Sequence, residues 1–453
     1  MSLNSILSIA SSALSSHQRV VETASHNIAN AGTAGYSRQR VRLEPAYPLR
    51  SPNGLVGRGA SAEGIERTRD TFLDAQLRAE SGALGYHRTT SSALGQVEGV
   101  MGELGPGGMG AQLDRFFDAF NDLANDPVSV ATRSTARQTA SDLAFAFRTT
   151  SSRIQQVGAD AQAKLTESVE EVNRLAAQVA ELNVDIVANS ANGGAPDLED
   201  RRDLAIDRLS QLMQVQVIRE SDNAVTVVAG GFVLADRSRS NALEVKSAGA
   251  GLGAGFVGAP NPIDFKSGEI KAFADFTQRT IPGVVAQLDQ LAASIVTRVN
   301  AIYTTGQTTT GIAGAPLFDP AGITATTMML NPALTADLGT LVTGTTTAPG
   351  DSTLALQIAR LRTENQSTLG DRAFGEFVST IAFGVGQGIK NAEDAVTAQE
   401  ALVGQITDRR SSVQDVSIDE EMVSLLKSQQ AYSAAAKVVT TADQMMQAIL
   451  QMV

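Results

Sequence analysis

Along the first thirty residues, Leu3, Leu7, Ala10, Leu14, His17, Val21, Ala24 and Ile28 recur at alternating steps of four and three. That period of 3.5 predicts a helix with one apolar seam, of the kind that pairs in coiled coils. The last thirty residues repeat the spacing at Leu425, Gln429, Tyr432, Ala436, Val439, Asp443, Met446, Leu450 and Val453. Inside the chain the most regular run is Ile154, Val157, Ala161, Leu165, Ser168, Val172, Leu175, Val179, Leu182 and Ile186, a long helix stopped by Gly193, Gly194 and Pro196. A shorter helix is expected through Asp203, Leu204, Leu209 and Leu212. Another spans Pro282 to Tyr303 on Val285, Leu288, Leu291, Ile295, Val299 and Ile302, and a further helical stretch runs from Phe374 to Val413.

Two stretches break the helical pattern. Val215 to Phe265 carries strand-like runs such as Val225-Thr226-Val227-Val228 and Phe232-Val233-Leu234, and Gly306 to Gly350 is rich in Thr, Gly, Ala and Pro with few charges. The expected fold is mainly α with β-rich insertions: N- and C-terminal helices paired as a coiled coil, a long-helix bundle body and a small β-rich outer domain. Residues 1–40 and 415–453 supply the inner coiled-coil domain, and 41–213, 269–305 and 356–414 the helical body. Residues 214–268 form a β-rich segment and 306–355 a β-rich or irregular outer one.

Charge sharpens the picture of the ends. Arg19 and Glu22 are the only formal charges from Met1 to Asn30, and Lys427, Lys437 and Asp443 the only ones from Met422 to Val453. Solvated helix faces are normally rich in Lys and Glu, whereas these carry Ser, Thr, Asn, Gln and Ala. Two readings stay open: the ends pack on the chain's own body, or they pair with each other and become ordered only in an assembly, since an isolated pair buries little area against its ordering entropy. Ser417-Ile418-Asp419-Glu420 fits a capping box, and Asp419, Glu420 and Glu421 suit the positive end of the following helix dipole. Helix capping alone accounts for these acids at this level.

The 453 residues suit two to four structural units. A net charge of −12 argues against nucleic acid as a partner. There is no cysteine, and aromatics are only 4%, so cores are built from Ala, Val, Leu and Ile. The serine-interrupted N-terminus resembles neither a secretory signal nor a membrane span, so no membrane insertion is expected. His17, His26 and His87 have no metal-ligand spacing, and packing or hydrogen bonding suits His17 and His26. Gly253-Ala254-Gly255-Phe256-Val257-Gly258 matches a dinucleotide pattern by letter, but Ala259-Pro260-Asn261-Pro262 cannot open the required helix, so it reads as a flexible glycine loop. Glu170-Glu171 and Asp200 near Asp203 read as solvated helix faces. No catalytic, cofactor-binding or metal-binding residue is assigned, and no cofactor is expected.

The string from Ser25 to Gln39, SHNIANAGTAGYSRQ, resembles the N-terminal signature of flagellar rod, hook and hook-associated proteins, the axial family of the flagellum. In physical terms Asn30 and Gly32 suit a left-handed helix stop, and Gly35 permits a turn before the more extended Arg38 to Leu43. Gly35-Tyr36-Ser37-Arg38-Gln39 is similar to the hook–filament junction branch, where rod and hook proteins more often show Gly-Phe-Lys. Asp419 to Met422, Gln429 to Ala434 and Ala442 to Met445 resemble the family's C-terminal signature. Phe116-Phe117 through Asn125-Asp126-Pro127 and Arg137, Asp200 to Asp203 with Leu209 and Leu212, and Leu288 to Ala292 through Asn300 are similar to the junction branch's helical domain. Before the acidic cap the family usually has Ser-Gly-Val, whereas this chain has Gln414-Asp415-Val416, so Asp415 is expected to take a glycine's conformation at some cost.

The resemblance implies a structural, non-enzymatic subunit exported without a cleaved signal peptide to the extracellular flagellum, joining hook to filament through helical lattice contacts. Its implied partners are copies of itself, the hook protein, a second junction protein or flagellin, and an export chaperone at the C-terminal helix. The residues expected to carry assembly are Leu3, Leu7, Leu14, Val21, Asn27, Ile28, Asn30, Gly35, Tyr36, Arg38, Gln39, Leu425, Tyr432, Val439, Met446 and Leu450. The β-rich part is short for the family, implying a reduced outer domain. Rival readings are another axial subunit (hook, distal rod or flagellin-like), a flagellum-associated enzyme, or an intracellular coiled-coil scaffold. The enzyme lacks a recognisable catalytic group, and the scaffold leaves the matching end signatures unexplained.

Overall fold

The computed structural model describes residues 3–51, 54–102, 108–190, 194–249, 251–336 and 338–451. Met1, Gly193 and Val453, named in the patterns above, lie outside the described residues. Helix α1 (Leu3–Asn30) leads into strands β1 (Gln39–Pro45), β2 (Leu49–Ser51), β3 (Gly54–Val56) and β4 (Ala60–Arg67). Helices α2 (Thr71–Met101), α3 (Met109–Asn125), α4 (Val130–Ser190) and α5 (Pro196–Leu212) follow. Strands β5 (Gln216–Arg219), β6 (Val225–Ala229) and β7 (Phe232–Ala235) form one antiparallel sheet, and β8 (Leu243–Ala248) pairs with β9 (Gly251–Phe256). Helix α6 (Glu269–Asp275) runs through a π-helical turn, Phe276–Thr280, into α7 (Ile281–Tyr303). The short α8 (Ala333–Ala336) and α9 (Thr353–Arg360) precede α10 (Phe374–Gln414) and α11 (Ile418–Gln451).

The 61-residue α4 is the spine. At 1.5 Å per residue it extends about 90 Å, so no single compact core can cover it. One core packs α2, α3, α7, α9 and α10 on its first half, centred on the buried Phe116, Phe120, Phe147, Tyr303, Phe318 and Phe374. A second packs α5 and both sheets on the part from Leu165 onward. Of the predicted seam from Ile154 to Ile186, all positions are buried but Leu175, which is half-buried. The helix starts 24 residues before Ile154, at Val130, because there its buried stripe is largely alanine (Ala136, Ala140, Ala144), which carries little apolar signal.

Four expectations change. The stretch after residue 41, assigned to the helical body, instead holds strands: β1 (Gln39–Pro45) pairs antiparallel with β4 (Ala60–Arg67), and helix resumes only at Thr71. The Gly253–Gly258 stretch is mostly strand: β9 pairs with β8, and a Cβ at Gly251 would meet the Thr277 backbone at 2.6 Å. Its glycines let the hairpin lie directly on the π-helical turn. Asp415 is extended (φ −74°, ψ 154°), so no glycine-like strain arises between α10 and α11. After α1 the left-handed residue is Gly35 (φ 79°), and neither Asn30 nor Gly32 has positive φ. Asn30 instead returns its amide to the His26 carbonyl at 3.0 Å.

Candidate assembly site

Helices α1 and α11 lie against each other and run antiparallel, since Asn27 near the end of α1 meets Glu421 in the first turn of α11. The other side of α1 rests on the β1–β4 hairpin, where Ser16 Oγ donates to the Ala60 carbonyl at 3.1 Å and Ser12 makes a second bond to it. The residues of α1 buried most deeply are small or polar: Ala10, Ser16, Thr23, Ala24 and Asn27. Leu3, Leu7, Leu14, Val21 and Ile28 are all half-buried.

On α11 the near face holds Glu421, Leu425, Ser428, Ala435, Val439, Ala442 and Met446, which are buried or half-buried. Two polar positions of the predicted stripe, Gln429 and Asp443, are therefore displaced by one residue, to Ser428 and Ala442, while Ala436 stays half-buried beside Ala435. Gln429 and Asp443 point to solvent, Tyr432 is 40% exposed and Leu450 72%. The period was right but the side-chain size misled: small Ser and Ala side chains, not large apolar ones, permit close approach of the two helices. A separate outer face of Val423, Leu426, Val438, Met445 and Ile449 stays about half exposed in the single chain.

The turn after α1 is a clasp. Asn27 Oδ1 accepts from the Gln39 backbone N–H at 3.0 Å and the Tyr36 hydroxyl at 2.8 Å. Its Nδ2 donates to the Gln39 carbonyl at 2.9 Å and to Glu421 Oε2 at 3.0 Å. All four hydrogen-bonding positions of this buried amide are thus used. Arg38 Nε donates to Glu421 Oε1 at 2.7 Å, its Nη1 to Glu420 Oε2 at 2.6 Å, and its backbone N–H to the Gln414 carbonyl at 2.8 Å. Capping alone therefore does not account for the acids of α11. The Ser417 hydroxyl still accepts from the Glu420 N–H at 3.5 Å, but the Glu420 carboxylate goes to Arg38 rather than back to the cap.

Next to the clasp lies a buried ion network that joins the hairpin, α2, α5 and α10. Asp200 accepts from Ser37 N–H (2.9 Å) and Oγ (2.8 Å) and from Arg67 (2.7 Å). Asp203 accepts from Arg67 at 2.8 Å, from Arg78 at 3.4 Å and from Arg69. Asp74 pairs with Arg69 at 3.0 Å and Arg410 at 3.3 Å, and Asp207 with Arg78 at 2.6 Å and Arg410 at 3.0 Å. Asp200 and Asp203 are 7% and 3% exposed, so the expected solvated face is in fact the centre of a junction. Burial alone would raise the Asp203 carboxyl, but the guanidiniums of Arg69, Arg67 and Arg78 outweigh it and hold the group well below the usual carboxylate range. Burial, then Asp197, Asp200 and Glu421, push the Tyr36 hydroxyl up, so it remains a donor.

Asn27, Tyr36, Arg38 and Gln39 thus come together with α11, while Gly35 sets the turn against Leu204, whose side chain would lie 3.5 Å from a Cβ there. Missing from the sequence-based set are Asp74, Asp200, Asp203, Arg67, Arg69, Arg78 and Glu421. Asp200, Asp203 and Asp207 recur at steps of three and four, the one-face spacing of a helix, and this was the available signal. Among the described residues no group of three or more His, Asp or Glu is placed to hold a metal ion, and no helix is long and apolar enough to cross a membrane.

Comparisons with known proteins align with this anatomy. Residues 94–318 match the model of the flagellar hook-associated protein FlgK helical domain. Residues 7–36 match that of flagella basal body rod proteins, and 412–452 that of the flagellar basal body rod FlgEFG C-terminal region. The chain is similar to the FlgK family of flagellar hook-associated proteins. Among FlgK relatives, flagellar hook-associated protein 1 of Bacillus subtilis is 27% identical over 98% of this chain and 97% of its own length. Its Salmonella typhimurium counterpart is 24% identical over 70% of this chain, which spans 59% of that relative. A solved structure, the flagellar hook junction protein FlgK from Burkholderia pseudomallei, shares the fold with a TM-score of 0.63 and 17% identity, covering 75% of this chain and 100% of that one. The two rod-type matches coincide with α1 and α11, and the FlgK-type match covers α4, the second core and the part of the first core from Leu94 to Phe318.

Proposed function

We propose that this chain is a structural subunit of the bacterial flagellum that joins hook to filament through helical lattice contacts. The observation that carries this is the α1–α11 pair: its two helices come from opposite ends of the chain, match axial-protein models, carry few charges, and leave an apolar face on α11 half exposed. A contiguous apolar face on a soluble chain marks an interaction surface. In a helical lattice the same face is covered in every copy, so many modest contacts add up.

In this reading residues 1–40 and 415–453 form the inner layer, and the helical body with its β-rich segments the outer ones. Leu3, Leu7, Leu14, Val21 and Ile28 seat α1, while Leu425, Val439 and Met446 face it from α11. Tyr432 and Leu450 face neighbouring copies. The partners are copies of the chain, the hook protein on one side, and a second junction protein or flagellin on the other. An export chaperone covers the C-terminal helix before assembly. The subunit is exported to the extracellular flagellum without a cleaved signal peptide, and the absence of cysteine suits passage as an extended chain. The work is mechanical, matching a flexible lattice to a stiffer one, with no catalytic step.

Removing Leu425 to Val453 tests this. The truncated chain is expected to keep a folded body, because both cores lie outside the removed segment, yet to fail to incorporate at the hook tip. Normal filaments on that truncation would refute the role of the terminal pair.

A further inference from the structure

The hydrogen bonds around His26 fix where its proton sits. Asn27 Nδ2 faces two acceptors, the Gln39 carbonyl and the Glu421 carboxylate, so the amide cannot be reversed and Oδ1 must be an acceptor. The Tyr36 hydroxyl therefore donates to Asn27 Oδ1, at 2.8 Å. With that proton committed, the contact of 3.0 Å between Tyr36 Oη and His26 Nδ1 requires Nδ1 to carry a hydrogen and donate. Neutral His26 is then bare at Nε2, and that lone pair stands 3.7 Å from Asp197 Oδ2 in the first turn of α5. Two acceptors face each other across the seam between terminal helix and body.

We propose that His26 is a proton-operated latch: protonation at Nε2 turns this facing pair into an ion pair that tightens α1 onto α5, so the terminal domain docks more firmly in mildly acidic surroundings. Asp197 is held ready for it, since its other oxygen accepts from Gln39 Nε2 at 2.6 Å. The charged groups around the site are Asp197 and Asp200 on α5, Glu421 on α11 and Arg38 across it. Other groups act in the opposite direction. Protonating Glu421 or Asp200 would weaken their ion pairs, and a charged His17, whose Nδ1 is buried without a partner, would loosen α1. A tightening on acidification therefore has one source in this region.

The inference needs the docked terminal pair on which the proposed function rests, but it is tested separately. Hydrogen exchange of α1 amides in the full chain, corrected for the intrinsic exchange rate, gives the opening equilibrium. Between about pH 8 and about pH 5.5, where histidine titrates, protection should rise about twofold to fivefold, the effect of a partly exposed ion pair. His26→Gln and Asp197→Asn should keep the basal protection and lose the rise. Asn at 197 retains an acceptor for Gln39, so loss of the rise there is not loss of the clasp. An equal rise in His26→Gln, or a flat wild type with protected α1, would overturn the latch alone. Unprotected α1 at every pH in assembled hook–filament preparations would overturn both the latch and the terminal-pair assembly.

Discussion

Replacing Glu421 by alanine should release α11 from α1 and the turn that follows it while leaving the body intact. Glu421 is only 4% exposed and accepts from Asn27 Nδ2 at 3.0 Å and Arg38 Nε at 2.7 Å. A charge-assisted hydrogen bond contributes about 1.5–3 kcal/mol, and a buried donor left without an acceptor costs about 1–3 kcal/mol. Arg38 keeps Glu420 as a partner, which offsets part of its share, so the net loss is about 3 kcal/mol. That corresponds to about a hundredfold shift in the docking equilibrium. Glu421→Gln retains an acceptor for Asn27 and should lose less, about 1–2 kcal/mol. Limited proteolysis with mass mapping reads the difference: cleavage within α11 should accelerate steeply in Glu421→Ala and modestly in Glu421→Gln, with α4 and α10 uncut in both. Unchanged resistance of α11 in Glu421→Ala would show that the clasp does not hold the pair, and cleavage in α4 would show that Glu421 belongs to the body.

Other perturbations separate the junction, the body and the assembly face. Asp203→Asn removes the carboxylate between Arg67, Arg69 and Arg78 and should lower unfolding stability by about 3 kcal/mol in denaturant; a loss below about 1 kcal/mol, the surface-pair range, would place the network outside the stability of the fold. Because the folded-state Asp203 carboxyl lies below its unfolded value, its contribution is present above the unfolded value and lost as pH falls through the folded one. The Asp203 share of wild-type stability should therefore be lost only as pH falls below the ordinary carboxylate range, and that loss should be absent in Asp203→Asn. Met445→Glu, on the half-exposed outer face of α11, should leave the monomer's melting midpoint unchanged and abolish incorporation. An assembling Met445→Glu chain would remove that face from the lattice contacts.

The helices were legible because burial writes a period into the sequence: the stripe from Ile154 to Ile186 and that from Leu288 to Val299 are almost wholly buried. Alanine-lined packing was not, so the beginning of α4 and the Ser428, Ala435 and Ala442 face of α11 escaped notice. Alternation in β1 and β4 is masked by Arg40, Arg42, Glu63 and Glu66, which face solvent on a two-stranded ribbon with one thin buried side. The ion network was hidden for a different reason. A carboxylate at residue 203 and guanidiniums at 67, 69 and 78 look like solvated surface until the fold brings them together, and charged side chains are rarely fully buried unless paired. The clasp was half legible: the string from Asn27 to Gln39 stood out as a signature, but its partner Glu421 is 394 residues from Asn27.

Everything about the assembly turns on where α1 and α11 sit in the finished structure. Electron cryo-microscopy of purified hook–filament junctions containing the full chain measures this directly. The expected result is a zone of these subunits between hook and filament, with each α1–α11 pair antiparallel, directed toward the axis and covered on the Val423–Ile449 face by neighbouring copies. Terminal helices found apart, or an α11 outer face left open to solvent on the particle's exterior, would contradict it.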